Sequence, residues 1–151
     1  MEPKTIATNS KAFRDFFLTD KWECGISLNG GEVKSIRQGH VQFTDSFARV
    51  EKAAVVLYNL HINPYAQASY LATEPARPRK LLLHKKEILK IDGLVTQKHL
   101  ALVPTRIYFN ARGFVKVEIA VGKGKKLYDK REDLKKKDTQ REIERHLRRR
   151  R

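Results

Sequence analysis

The 151-residue sequence contains a single cysteine, Cys24, and no apolar run that approaches the roughly 18 residues needed to span a membrane. One cysteine excludes an intrachain disulfide and a cysteine-based zinc site. The residues that follow Met1 lack the apolar stretch of a signal peptide. These absences exclude a membrane protein, a disulfide-stabilised secreted domain and a zinc finger, and we expect a cytoplasmic protein.

Proline and glycine are missing from one part of the chain, since neither occurs after Gly124. The same part is strongly basic, because residues 122–151 hold 14 Lys and Arg against 6 Asp and Glu. The whole chain has 32 basic and 17 acidic residues and a formal net charge of +15, which favours a polyanionic partner. We therefore divide the chain into a body, residues 1–121, and a basic tail, residues 122–151.

Alternation of apolar and polar residues in the body indicates β-strands with one buried face. Residues 105–121 are predicted to form a hairpin, in which Val117 and Ile119 face the core and Lys116 and Glu118 face the solvent. Further strands are predicted at residues 22–28, 46–50 and 54–62, with a fourth region at 94–103. Short helices are predicted at residues 32–37 and 81–91, and the helical spacing of the second places Leu82 in the core.

Several short strands and two small helices predict a mainly β fold, a closed antiparallel barrel of the oligonucleotide-binding (OB) type with short flanking helices. A five- or six-stranded sandwich fits the periodicity nearly as well.

The tail has too few apolar residues to fold by itself. Only five of the 25 residues from Leu127 onward are apolar, which is too few to offset the entropy of ordering the segment. Its other residues are good helix formers, and pairs such as Glu132 with Lys136 are spaced to support a helix. We expect a tail that is disordered in free solution and helical against an anionic surface. The alternative is a solvated, solubilising end.

No pattern of catalytic residues is present. The segment 122–126 lacks the spacing and the Ser or Thr of a nucleotide-binding loop, and it is interpreted as a flexible basic hinge. Cys24 is interpreted as a small core residue and Trp22 as a packing residue at a barrel end. The five histidines show no metal-ligand spacing, so we expect neither an enzyme nor a bound metal or cofactor. A basic stretch at residues 77–80, followed by Lys85 and Lys86, could instead follow an RNA backbone or form a solvated loop.

Three blocks of the sequence resemble signature blocks of the SmpB family. They are residues 31–37 (GEVKSIR), 79–88 (RKLLLHKKEI) and 122–132 (GKGKKLYDKRE). The similarity runs in order from about residue 6 to residue 145. The resemblance implies an OB-type barrel that binds the tRNA-like domain of tmRNA, also called SsrA RNA. With elongation factor Tu, such a protein delivers alanyl-tmRNA to stalled 70S ribosomes, where its tail becomes helical in the empty mRNA channel. The nascent chain is then tagged for proteolysis, and the protein catalyses no reaction.

The resemblance also implies roles for individual residues. Glu23, Leu82 and His84 are expected on the tmRNA face, and on physical grounds we add Lys34, Arg37, Arg79 and Lys80 as phosphate contacts. The resemblance assigns Gly124, Lys125, Lys126, Asp129, Lys130 and Arg131 to the hinge and tail that act at the ribosomal decoding centre. Arg14 stands where the family has a histidine near that centre. The alternative function is a generic OB-type RNA-binding or ribosome-associated protein with no preference for tmRNA.

Overall fold

A computed structural model of the chain describes residues 3–65, 74–125 and 127–150. Its elements in chain order are β1 (Lys4–Thr8), α1 (Ser10–Asp15), β2 (Phe16–Ile26), α2 (Gly30–Arg37), β3 (Val41–Glu51), β4 (Ala54–Ile62), β5 (Arg79–Leu82), α3 (Lys85–Lys98), β6 (Ala101–Phe109), β7 (Val115–Gly124) and α4 (Leu127–Arg149).

Six of the strands form a closed antiparallel barrel. Each strand pairs with the next in the order β6, β3, β4, β5, β2, β7, and the pairing of β7 with β6 closes the ring. β3 and β6 share a single residue pair, Ala48 with Leu102. On the same edge of β6, residues 106–109 pair with β1. Closure leaves fewer exposed strand edges than an open sandwich would. The prediction of a closed antiparallel barrel is confirmed.

The core fills the barrel interior with alternate residues of its strands. The fully buried aliphatic side chains include Val55, Leu57, Leu60, Leu81, Ile107, Val117 and Ile119. Cys24 lies among them with no exposed surface, as predicted, and burial raises the pKa of its thiol to about 12. Trp22 is half-buried and packs against this core. A thiol held neutral in an apolar interior acts as a small hydrophobic residue.

Most of the predicted elements are confirmed, and two are wrong in part. The hairpin at 105–121, the strand at 54–62 and the helix at 32–37 coincide with observed elements, whereas the strands predicted at 22–28 and 46–50 overlap only the second halves of β2 and β3. The predicted helix at 81–91 instead contains the end of strand β5, and helix α3 begins at Lys85. The predicted strand region at 94–103 is helical as far as Lys98, and β6 begins at Ala101. His99 separates the two in a left-handed conformation with φ of 51°, which ends the helix.

The tail is one helix from Leu127 onward, but residues 122–124 are the end of β7, so the predicted flexible hinge at 122–126 is wrong for these three residues. α4 contains 23 residues and is therefore about 34 Å long at 1.5 Å per residue. Between Arg131 and Arg150 every side chain is exposed except Asp133, which is half-buried. Disorder of the tail in free solution stays a prediction. Among the residues that the structure describes, no helix has the length and apolar character needed to cross a bilayer.

Candidate nucleic-acid interface

An open groove of about 670 Å³ crosses the outside of the barrel where β2, β5 and the start of α3 meet. The residues that line it are Lys21, Trp22, Glu23, Gly25, Leu82, Leu83, His84, Glu87 and Lys116. Three of these, Glu23, Leu82 and His84, are the residues that the family resemblance placed on the tmRNA face. The fold therefore brings together one carboxylate, one exposed apolar side chain and one imidazole from positions up to 61 residues apart.

Strand alternation explains why Leu82 faces the groove. In β5, Arg79 and Leu81 point inward and are buried, whereas Lys80 and Leu82 point outward. Leu82 is 53% exposed, so the core position expected from helical spacing is wrong. Gly25 pairs with Leu82 across the sheet, and a β-carbon on Gly25 would lie 3.2 Å from Cβ of Leu82. The missing side chain at Gly25 makes the space in which Leu82 lies against the sheet.

The carboxylate of Glu23 is held by a side chain of β6, which lies on the other side of β7 from β2. The hydroxyl of Tyr108, a nearly buried residue on β6, donates a hydrogen bond to Oε2 of Glu23. Burial, and then this hydrogen bond, raise the pKa of the Tyr108 phenol, so the phenol stays protonated and remains a donor. The guanidinium of Arg106 lies 4.8 Å from the centre of the Tyr108 ring. The hydrogen bond from Tyr108 therefore fixes the orientation of the Glu23 carboxylate, while the Glu23 side chain remains exposed to solvent.

Two carboxylates stand opposite each other beside this bond, since Glu23 pairs in register with Glu118 of β7. Like charges directly opposite on a sheet are destabilising unless they are compensated. Nε of Arg106 donates to Oε2 of Glu118 over 3.1 Å, and the hydroxyl of Thr105 donates to the same oxygen over 2.6 Å. These donors compensate the charge of Glu118, so that Glu23 is the member of this pair that faces the groove, where Glu87 is a second carboxylate.

Sequence reasoning missed two cations of the groove, Lys21 and Lys116. The sequence places Lys116 on the solvent face of the predicted hairpin. Its place in the groove follows only from its pairing with Gly25 across β2 and β7. The β2–β7 register, which carries this information, has no signature in the sequence near either residue. With Lys21 and Lys116 present, the groove has cations at its sides and can accept phosphates as well as bases.

Arg79 is not available as a phosphate contact, and that prediction is corrected. The side chain has no exposed surface, because alternation in β5 directs it into the barrel. Its Nε donates to Oε2 of Glu32 over 2.6 Å, and its other nitrogens donate to the backbone carbonyls of Leu60, Arg77 and Pro75. A guanidinium with these partners is a structural cation that ties β5 and β4 to α2.

The neighbouring Arg77 is also engaged. Its Nη2 donates to Oε1 of Glu32 over 2.5 Å, and the side chain is 28% exposed. Burial alone would raise the pKa of the Glu32 carboxyl, but hydrogen bonds from Arg77, from the backbone of Asn29 and from Arg79 outweigh it and lower that pKa. The predicted basic stretch at residues 77–80 therefore leaves Lys80 as its freely exposed cation.

Lys34 and Arg37 lie on the exposed side of α2, outside the set of residues that line the groove. The ammonium of Lys34 is 5.5 Å from the ring centre of Tyr65, and the guanidinium of Arg37 is 5.8 Å from that of Phe109. Both cations are exposed and can bind phosphates there, and their role as RNA contacts stays a prediction.

A second group of predicted residues meets at the other end of β2. Phe16 pairs with Gly124, and the backbone N–H of Lys125 donates to the carbonyl of Asp15 over 2.8 Å. Arg14, on the last turn of α1, donates from Nε to Asp15 over 3.1 Å and keeps 55% of its side chain exposed. The fold thus brings Arg14 and the hinge residues Gly124 and Lys125 to one end of the barrel.

Lys125 connects this end of the barrel to the tail. Its ammonium lies 4.9 Å from the ring centre of Phe17 and forms an ion pair with Asp133 in α4. That ammonium lowers the pKa of the Asp133 carboxyl through their hydrogen bond. Of the other residues predicted to act at the decoding centre, Lys126 lies outside the described residues. Asp129, Lys130 and Arg131 belong to the start of α4, and the side chain of Arg131 is exposed. The hinge is therefore tied to the tail through a salt bridge to Asp133.

The two groups are separated along a single strand. Glu23 follows Phe16 by seven residues of β2, which corresponds to about 23 Å of extended chain. Within the described ranges, no group of three or more His, Cys, Asp or Glu side chains is arranged to hold a metal ion.

The chain is similar to known proteins over almost its whole length. The family model "SmpB protein" matches residues 6–149. An SsrA-binding protein of Caldanaerobacter subterraneus subsp. tengcongensis is 54% identical over 146 residues, which cover 97% of this chain and 92% of that protein. An SsrA-binding protein of Thermosipho melanesiensis is 53% identical over 144 residues, which cover 95% of this chain and 98% of that protein.

A solved structure agrees with these sequence matches. The structure, described as "tmRNA-SmpB: a journey to the center of the bacterial ribosome", contains a chain that superposes with a TM-score of 0.68 at 49% identity. The match covers 80% of this chain and 85% of that one. Together with the matched residues 6–149, this shows that the chain belongs to the SmpB protein family.

Proposed function

We propose that this chain binds tmRNA through the tRNA-like domain of that RNA and brings it to stalled ribosomes. The observation that carries the proposal is the convergence of Glu23, Leu82 and His84 on one groove flanked by Lys21 and Lys116. Relatives at 53–54% identity are SsrA-binding proteins, which supports the same RNA as the ligand.

The groove suits a folded RNA better than a regular duplex. Proteins that recognise specific RNA structures contact splayed bases, ribose hydroxyls and closely spaced phosphates. The fixed carboxylate of Glu23 accepts hydrogen bonds from base edges or 2′-hydroxyls, Leu82 supplies an apolar contact, and His84 supplies a hydrogen bond or a stacking surface. Lys21, Lys80 and Lys116 neutralise phosphates at the margins.

In this proposal, body and tail have separate tasks. Residues 1–121 bind the tRNA-like domain, and residues 122–151 enter the decoding centre and the mRNA channel of the ribosome. The separation of Glu23 from Phe16 along β2 supports this division, because RNA bound at one end leaves the other end free. The exposed basic helix α4 has the charge to follow ribosomal RNA.

Three further parts of the proposal follow from the family. The complex that reaches the ribosome contains alanyl-tmRNA and elongation factor Tu, and the site of action is the cytoplasm. No catalytic step is assigned to the chain, whose contribution is binding and positioning. Tagging of the nascent polypeptide for proteolysis then follows from the RNA that it delivers.

A titration tests the RNA specificity. Labelled tRNA-like domain of tmRNA is titrated with the full chain at about physiological salt, with bulk tRNA in excess as competitor. A chain with a net charge of +15 binds most RNA at low salt, so the salt concentration decides what the measurement means. Saturable binding that survives the competitor is the expected result. Loss of binding to the competitor would favour the generic RNA-binding protein.

Deletion of residues 127–151 tests the division of tasks. We expect the truncated chain to bind the tRNA-like domain with little change in Kd and to lose tagging on stalled ribosomes. A large loss of affinity in the titration would contradict the division, because it would place part of the tmRNA site in the tail.

A further inference from the structure

We propose that the turn between β6 and β7 lengthens the RNA-binding groove by stacking the ring of Phe114 on an unpaired nucleobase of the bound RNA. The inference rests on the proposed function, because it adds one contact to the same face. Neither the groove-lining set nor the residues expected from the family include Phe114.

The turn holds Phe114 rigidly. The side chain of Asn110 accepts hydrogen bonds from the backbone N–H groups of Arg112 and Phe114, at 3.1 and 2.9 Å. The backbone N–H of Asn110 donates to the carbonyl of Phe114 over 2.9 Å, and that of Gly113 donates to the carbonyl of Asn110 over 2.9 Å. Gly113 has a φ of 83°, which glycine adopts without strain. The backbone that carries Phe114 is therefore ordered before binding and loses little entropy when a partner binds.

The ring is exposed although it is large and apolar. Phe114 is 63% exposed, more than Phe13 or Phe17 at the opposite end of β2. Because the ring is exposed, the folded chain lacks the stabilisation that burial of a phenylalanine ring would provide. An aromatic side chain on a rigid, solvated turn is therefore available for a partner.

Alternation places this ring beside the groove. Lys116 and Glu118 lie on the outer face of β7, and Phe114 directly precedes this strand; alternation continued by one step directs Phe114 to the same face, about 7 Å along the chain from Lys116. Lys116 lines the groove and pairs with Gly25, whose partner on the other side is Leu82. The ring thus lies one alternate position beyond the groove, at the end away from Glu118.

The charges around the ring select an RNA base as the occupant. Arg112 precedes Phe114 by two residues in the turn and Lys116 follows it by two, so cations flank the ring along the chain. An aromatic face between cations is the arrangement that binds single-stranded nucleic acid, with the base on the ring and the phosphates on the cations. Loops of a folded RNA contain unpaired bases of this kind.

The test uses the full chain and the tRNA-like domain of tmRNA as probe. Phe114→Ala is compared with wild type, with Phe114→Trp and with the control Phe17→Ala, which removes an exposed ring near the start of β2, outside the groove. We expect Phe114→Ala to raise Kd by about tenfold to a hundredfold and to leave the salt dependence unchanged, since no phosphate contact is lost. Phe114→Trp should restore the affinity, and Phe17→Ala should bind as wild type.

A series of probes with single abasic positions identifies the stacked base. At the stacked position, removal of the base should erase the difference between wild type and Phe114→Ala. Equal affinities of wild type and Phe114→Ala would overturn the inference, and so would a difference that no abasic position erases. Sedimentation that shows a dimer lost in Phe114→Ala would also overturn it, because the ring would then bind a second copy. Failure of the wild type to bind the probe would refute the proposed function instead.

Discussion

Nε of Arg79 donates a 2.6 Å hydrogen bond to Oε2 of Glu32, a residue 47 positions earlier in the chain. Oε1 of the same carboxylate accepts the backbone N–H of Asn29 over 3.1 Å at the start of α2. One buried acid therefore caps a helix and neutralises a cation that is itself bonded to the carbonyl of Leu60. The position of α2 on the barrel depends on the charge of Glu32.

Stability should fall in acid as Glu32 is protonated. Its pKa is lowered in the folded chain, so its contribution to the free energy of unfolding is fully present above the ordinary carboxyl value of 4.5 and is lost as the pH falls through the folded-state pKa.

Glu32→Gln should lower the free energy of unfolding by about 3–5 kcal/mol at pH 7, because Arg79 would remain buried without its counter-ion. Urea unfolding from pH 7 to pH 3 measures both effects. Glu51→Gln, at an exposed carboxylate, is the control, and equal unfolding free energies for the two variants would contradict the prediction.

Gly25→Ala should weaken RNA binding while the barrel stays folded. The added β-carbon would lie 3.2 Å from Cβ of Leu82, so Leu82 must shift by a few tenths of an ångström. We expect a several-fold rise in the Kd for the tRNA-like domain, with an unchanged circular dichroism spectrum. Gly30→Ala is the matched control, since a β-carbon there meets no atom within 4 Å. An affinity loss of the same size in both variants would show that the space beside Leu82 is irrelevant to binding.

Glu23→Ala should weaken binding of the tRNA-like domain without unfolding the barrel, because the carboxylate is exposed and lies on the groove. Tyr108→Phe removes only the hydroxyl that orients that carboxylate and should cost less, about fivefold to tenfold in Kd, as expected for one hydrogen bond. In Glu23→Ala the further change Tyr108→Phe should have no effect on Kd. Titrations of the two single variants and the double variant measure this coupling. Additive losses would mean that Tyr108 acts independently of Glu23.

A peptide of residues 127–151 should show little helix in buffer and more helix with added RNA. Its residues are good helix formers, but α4 packs few apolar side chains, and Leu134, Ile143 and Leu147 stay about half exposed. Circular dichroism with and without a short RNA duplex checks both statements. Substantial helicity in buffer alone would contradict folding on binding.

Part of the fold was predictable because the hairpin at 105–121 carries clean alternation, whereas the two longest strands, β2 and β3, were predicted only over their second halves. Val117 and Ile119 already indicated the face of the hairpin that is buried. The strand β5 was missed because its four residues are too few to show an alternating pattern. It also begins with Arg79, and an arginine is ordinarily expected at the surface. Only the contact with Glu32 from a distant segment makes burial of Arg79 favourable, and no local pattern carries that information.

The candidate site was predictable only in part. Glu23, Leu82 and His84 were identified by resemblance and not by chemistry, because each is an ordinary residue in its own segment. Lys116 joins them only through its register with Gly25. The alternation in the hairpin at 105–121, by contrast, indicated strands without any knowledge of the site, although it left a sandwich open beside the barrel.

The strand β2 also restricts how the chain can vary. It contains one extra residue relative to β7 between Leu18 and Lys21, which lets Phe16 pair with Gly124 while Glu23 pairs with Glu118. Deletion or insertion of a single residue beyond that point would turn Glu23 into the core and Cys24 out to solvent, because side chains alternate. In this chain the number of residues between the hinge end and the groove is therefore constrained by the register of β2 with β7.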